Sequence, residues 1–280
     1  MAEDSGSFFG DLLRNWSSFV RIDTGDILLT TSEISGVSSG RRSGDWWLHA
    51  VGITGVIGVA LTVWLGLWVT PPDKFMGNLV RLVYIHPPVA WVAFLAFGIT
   101  ALCSALYLWK RTRDLRWDRL AGASGEVGVV FIGLTLVCGS IWGRPTWGVW
   151  WTWDPLLTTT AILFLLYLGY LTLRKTTSDP NLRAKRSAVA ALISVLDVPI
   201  VHFSVLWWRS LHQAPTVLNP TLSPEIHGQM AWTLLLGFVS FTLVFVWMTT
   251  WRYRLAALED LYETAWVELA IQERRNEVLV

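Results

Sequence analysis

Apolar residues run along this chain in six long blocks, with the polar residues gathered between them. Leu48 to Pro72, Leu82 to Trp109, Val127 to Gly143, Pro155 to Leu173 and Ile226 to Trp251 contain no Asp, Glu, Lys or Arg, and Ser187 to Trp208 contains only Asp197. Each block is near or above the ~20 residues that cross a hydrocarbon core ~30 Å thick. A segment in lipid must satisfy its backbone internally, so each block predicts a helix. The pattern therefore predicts an all-α integral membrane protein, a bundle of six transmembrane helices. The first 47 residues hold no apolar run of signal-peptide type, so the block from Leu48 reads as the first span.

Basic residues set the expected orientation. The N-terminal segment carries four Lys or Arg, the 108–121 and 174–186 loops five each and the tail four, which makes 18 of the 22. Lys74, Arg81, Arg144 and Arg209 are the other four. The positive-inside rule then puts both termini in the cytoplasm (N-in/C-in) and the 70–81, 142–156 and 207–227 loops outside. The expected domains are a cytoplasmic N-terminal extension over 1–47, a membrane domain over 48–251 and a cytoplasmic C-terminal helix over 252–280. In the extension, Phe8, Phe9, Leu12, Leu13, Trp16 and Phe19 fall at helical spacing. They suit an amphipathic helix on the inner leaflet or a short helix packed on the body. The Ser- and Gly-rich stretch from Thr24 to Gly44 reads as a flexible connector. At 53% hydrophobic and 15% charged residues, the composition agrees with the hydropathy pattern. A net charge of +1 gives no pointer to nucleic acid.

Candidate chemistry concentrates in the external loops. Residues 142–154 read WGRPTWGVWWTWD, with Trp142, Trp147, Trp150, Trp151, Trp153 and Asp154. Single indoles collect at membrane interfaces because ring and N–H prefer different media. Five in thirteen residues exceed that need and suit a broad aromatic floor for a large flat apolar ligand. Asp154 precedes Pro155 and is expected first as the N-cap of the following helix, with ligand contact second. Two histidines fall on the same side: His86 in YIHPPVAW, near the outer end of the second span, and His212 in WWRSLHQ, past the outer end of the fifth. Pro87 and Pro88 fit the first turn of a helix. Each histidine singly is an interfacial anchor or a capping group. The pair beside the Trp-rich segment suggests two imidazoles bracketing a haem iron. Arg144 and Arg209 are the basic residues of their two loops and suit carboxylates such as haem propionates.

The remaining polar groups fit structural roles. His202, deep in the fifth span, is expected to bond a neighbouring helix. His227, at the outer start of the sixth span, is a lesser candidate to contact a propionate or to support a ligand, and His49 reads as structural. Asp197, two residues before Pro199, is expected to bond across helices where the proline bends its own. Cys103 and Cys138 lie inside predicted spans with no C-x-x-C or C-x-x-C-H, so neither a redox dithiol nor a covalent c-type haem site is indicated.

WGRPTWGVWWTWD resembles the signature of the WWD haem-handling proteins of cytochrome c maturation. YIHPPVAW and VHFSVLWWRSLHQ resemble the flanking histidine motifs of their six-helix branch, the CcmC family, and the likeness runs from about Arg81 to Gln213. The resemblance implies non-covalent haem b at the outer face of the cytoplasmic (inner) membrane, with His86 and His212 as axial ligands. It implies that the Trp-rich loop carries the haem edge. It also implies three kinds of partner: a membrane-anchored periplasmic haem chaperone (CcmE-like), ABC transporter subunits (CcmA/CcmB-like) and a small single-helix protein (CcmD-like). The implied role is haem export and delivery rather than catalysis. The chain departs from the family in its long N-terminal extension and tail, and in a carboxylate at Asp197 where an amide is expected. Rival readings are a covalent cytochrome c haem synthase of the same superfamily, a b-type electron carrier, and a haem-independent permease with an aromatic cage. The synthase would need further intramembrane histidines, and the electron carrier would need facing histidine pairs. The chain has no P-loop, so ATP use would belong to a partner.

Overall fold

A computed structural model describes residues 45–74, 76–212 and 226–278. The N-terminal amphipathic helix and connector expected from the sequence lie outside these residues. Among these, Trp47–Ala256 form one compact unit, and the residues from Ala257 onward belong to a second. Among the described residues the secondary structure is helical, apart from an isolated antiparallel bridge between Asp73 and Gly77. Six segments among the described residues are long and apolar enough to cross a membrane: Trp46–Val69, Asn78–Leu108, Leu115–Trp147, Pro155–Lys175, Pro180–Trp207 and Gly228–Gln272.

The first of these is α1 (Trp46–Trp64), which ends in a π turn over Leu65–Val69. A 3₁₀ segment, Asn78–Tyr84, leads into α2 (His86–Leu108), and the Arg81 guanidinium donates back to the Leu67 carbonyl within the π turn. Next come α3 (Leu115–Trp147) and α4 (Pro155–Lys175). The fifth span is two helices, α5 (Pro180–Ser194) and α6 (Asp197–Trp207), and the last is α7 (Gly228–Val278).

Aspartates start three of these helices. Asp114 accepts from the Arg116 N–H at 2.8 Å, Asp154 from Leu156 at 3.1 Å and Asp179 from Asn181 at 2.9 Å. After Asp154 and Asp179 comes proline, whose missing N–H is harmless in a first turn. The N-cap role expected of Asp154 is therefore present.

Lipid is as apolar as leucine, so hydrophobicity drives these helices together only weakly. Close packing and interhelical hydrogen bonds take its place. Across α2 and α3, Ser124 donates to the Ala96 carbonyl at 2.8 Å and Thr100 to the Ala121 carbonyl at 3.3 Å. Phe97 of α2 stacks on Tyr167 of α4 with centroids 3.6 Å apart and planes at 17°. Val92, Ala96, Ile132 and Leu163 fill the core around that pair.

Two expectations need correction. The fifth span is interrupted at Val195 and Leu196 rather than merely bent, and Asp197 opens its second half. The proline ring of Pro199 clashes with the carbonyl four residues back, which is that of Val195, so the helix breaks there. The Trp-rich segment is only partly a loop. Helix α3 continues through Pro145 to Trp147 and stops at Gly148, whose left-handed φ of 80° excludes most side chains. Trp142 and Trp147 are thus helical, and Trp150, Trp151 and Trp153 follow the cap.

Candidate functional site

His86 is the first residue of α2. Pro87 and Pro88 occupy the two positions after it, so the first turn holds the imidazole without needing their N–H groups. Against one side of the ring lies Gly139 of α3, where a Cβ would stand 3.3 Å from Cε1. A larger residue there would displace the ring. Trp142, one turn further along α3, meets His86 edge to face at 5.8 Å. Two nitrogens of this pair, His86 Nδ1 and Trp142 Nε1, are buried without a hydrogen-bond partner. Buried polar atoms are nearly always paired, so this exception calls for a ligand or a functional reason.

His212 is placed quite differently. The chain leaves α6 at Trp208 in extended conformation and folds over the start of α4. There it meets Asp154, which is 6% exposed. The carboxylate accepts from the Leu211 N–H at 2.8 Å and the Ser210 hydroxyl at 3.0 Å, and His212 Nδ1 lies at 3.0 Å. With the Leu156 N–H, Asp154 therefore ties the 208–212 segment to the cap of α4. Burial alone would raise the Asp154 carboxyl, but its hydrogen bonds to Leu211 and Ser210 and the nearby His212 outweigh that and hold it below the usual carboxylate range. An ionised carboxylate only accepts, so Nδ1 carries the proton and Nε2 keeps its lone pair for a metal. Burial lowers the His212 pKa against the opposing pull of Asp154, which keeps the ring neutral as ligation requires. Trp147 braces it edge to face at 4.5 Å.

His86 and His212 line one cavity of about 710 Å³, set among α2, α3, α4, α6 and α7. Its wall is mostly apolar. The threonine hydroxyls on it, Thr135, Thr160 and Thr242, donate to carbonyls of their own helices. The volume falls within the ~300–1,000 Å³ usual for ligand pockets.

The remaining candidates divide. None of the five tryptophans lines the cavity. Trp142 and Trp147 stand behind the two imidazoles. Trp150 and Trp153 are 60% and 80% exposed, and Trp151 packs on Trp153 at 5.7 Å. Arg144 is exposed and donates to the Gly148 carbonyl, closing the end of α3, and Arg209 is also exposed. His227 is exposed and lies off the cavity, and His49 packs against Trp251 at 5.7 Å. His202 departs from expectation. It lines the cavity, its ring meets Phe203 at 5.0 Å, and among the described residues it makes no hydrogen bond to another helix. The link from Asp154 to His212 is the feature that sequence reasoning missed. The Asp-Pro cap was visible, but its second partner lies 58 residues away.

The profile of the CcmC family, described as heme exporter protein C, matches residues 37–268. The chain belongs to the CcmC family. Heme exporter protein C of Haemophilus influenzae is 36% identical over 217 residues, 78% of this chain and 86% of its own. That of Escherichia coli K12 is 33% identical over 233 residues, 82% and 91% of the two chains. A putative cytochrome c biosynthesis ccmC-like mitochondrial protein of Arabidopsis thaliana is 33% identical over 214 residues, 76% and 80%. The span matched to the CcmC family contains His86, His212, Asp154 and all five clustered tryptophans.

Proposed function

We propose that this protein binds haem b non-covalently between His86 and His212 at the outer face of the inner membrane and hands it to a periplasmic haem chaperone for cytochrome c maturation. The observation that carries the reading is that two histidines far apart in sequence line one cavity, one with a buried unpartnered nitrogen and the other locked by a carboxylate in the ligating tautomer. The names of the relatives support the choice of haem as cargo.

Haem iron accepts two imidazole nitrogens along its axis. The protein's part is to present them. Asp154 aims His212 Nε2, Gly139 leaves room for the His86 ring, and Trp142 and Trp147 brace both from behind. The exposed Trp150, Trp151 and Trp153 offer the porphyrin edge, and a docking chaperone, an apolar surface. Arg209, and Arg144 on leaving the Gly148 carbonyl, would turn to propionates in bidentate pairs. Residues 48–251 act as the haem-handling body, with 1–47 and 252–280 as cytoplasmic extensions. ABC transporter subunits and a small single-helix protein complete the assembly. The protein acts as a carrier, a reading supported by the name heme exporter protein C of its relatives.

The test is the visible spectrum of detergent-purified protein beside His86→Ala and His212→Ala. The expected result is six-coordinate low-spin haem in the wild type, weakened or altered in each variant. A colourless wild type from haem-replete cells, or a His86→Ala variant with the wild-type spectrum, would overturn the reading.

A further inference from the structure

The cavity has a third imidazole that the reading above leaves without a task. His202 stands on α6 beside Val201 and Val205, and all three line the cavity. It lies five residues before the end of that helix, about 7.5 Å deeper than Trp207 at 1.5 Å per residue. Its ring meets that of Phe203 at 5.0 Å and 81°. Among the described residues no wall group bonds it: the hydroxyls of Thr135, Thr160 and Thr242 donate within their own helices, and that of Thr242 also accepts from Trp91 Nε1 at 3.2 Å. An imidazole facing apolar walls without a partner is costly to keep and is a functional candidate by default inside a membrane.

Resting on the haem reading, we infer that His202 is an inner iron ligand of this cavity, taking the place of His212 when haem sits deeper in it. The exchange balances simply. One iron–nitrogen bond breaks as another forms, and each imidazole binds through a nitrogen lone pair, so neither an electron nor a proton is transferred. The chemistry suits a carrier, because a bond to His212 that can be replaced inside the cavity lets cargo shift position without losing iron ligation. The segment that bears His212 is a short non-helical stretch held through Asp154, whereas His202 is fixed on a helix. The outer ligand is thus the one built to let go.

The experiment titrates ferric haem into haem-free, detergent-purified full-length wild type, His212→Ala and His212→Ala/His202→Phe, read by visible and electron paramagnetic resonance spectra. The single variant should keep a six-coordinate low-spin species. The double variant should turn five-coordinate and high-spin, bind haem at least roughly tenfold more weakly, and regain the low-spin signal with added imidazole. Metal-free protoporphyrin, which has no iron to ligate, should bind both variants equally. The proposal is overturned if the single and double variants share one spectrum, if the single variant is already five-coordinate, or if protoporphyrin binding falls in parallel with haem. Failure of the wild type itself to show bis-histidine haem would instead sink the underlying haem reading.

Discussion

The two ends of the helical body use polar groups in opposite ways. Where α3 and α5 begin and α4 finishes, charges close on one another. Asp118, 3% exposed, is gripped by both guanidinium nitrogens of Arg174, one at 3.0 Å, with Arg183 at 3.6 Å. Glu126 of α3 pairs with Arg252 of α7. Where α2 and α4 begin, the imidazole of His86 and the indole of Trp142 carry buried nitrogens without partners, and large aromatic rings stand exposed. The first arrangement fixes helices against each other. The second leaves valences open for something the chain does not supply. Asp154 is the instructive exception at the open end: it is as well satisfied as Asp118, yet its bonds serve to aim a ring.

The comparison breaks most visibly at Asp118. Asp118→Ala leaves two arginines in a buried site without their counter-ion, a loss of about 3–5 kcal/mol. Thermal unfolding in detergent should show a large drop in midpoint, while haem affinity of the folded fraction stays at the wild-type value. A mild drop would mean that the cluster is not the anchor of its end. Asp154→Asn should do the reverse. If the amide oxygen keeps the Leu211 N–H, the amide nitrogen faces His212 Nδ1 and forces that atom to accept. The proton then moves to Nε2, the wrong tautomer for iron. Haem affinity should fall roughly 10–100-fold, the usual cost of an outer-shell partner, with the unfolding midpoint nearly unchanged. Equal affinity in wild type and variant would remove the tautomer argument.

The same contrast explains what the sequence could reveal. The six spans were legible because lipid imposes one rule on every spanning residue, and the Asp-Pro caps were legible because capping is local. Family and histidine motifs could be read from YIHPPVAW and WWRSLHQ. The break before Asp197 was half legible, since Pro199 signals a disturbance but not whether the helix bends or stops. The end of α3 was not legible, since part of the loop expected over 142–156 is helical, through Pro145 to the cap at Gly148. The cavity was illegible, being walled by ordinary Val, Leu, Gly and Thr that only tertiary packing brings together. So was the free ring of His202, because a histidine in a span gives no sign of whether its neighbours will bond it. The pairing of Asp154 with His212 depends on the 208–212 segment crossing to α4, which no periodicity encodes.

The smallest effect separates His212 from Asp154 at the open end. Burial disfavours the His212 cation in the folded protein, so stability of the 208–212 segment is full above the ordinary histidine value of 6.5 and declines as pH falls below it towards the lowered folded value. The Asp154 carboxyl has the opposite chemistry and the same sign: its bonds are fully present above 3.8 and are lost as pH falls through its depressed folded value. Unliganded protein should therefore respond in two steps on acidification, the histidine first. Trp147, 4.5 Å from the ring, is the local reporter, read as the fluorescence difference between wild type and Trp147→Phe. Its quenching by the imidazolium should set in below pH 6.5. In Asp154→Asn the midpoint should move lower still, because the carboxylate is the group that favours the cation. A midpoint above 6.5, or an upward move in the variant, would show that Asp154 does not govern His212 and that the open end is held by other contacts.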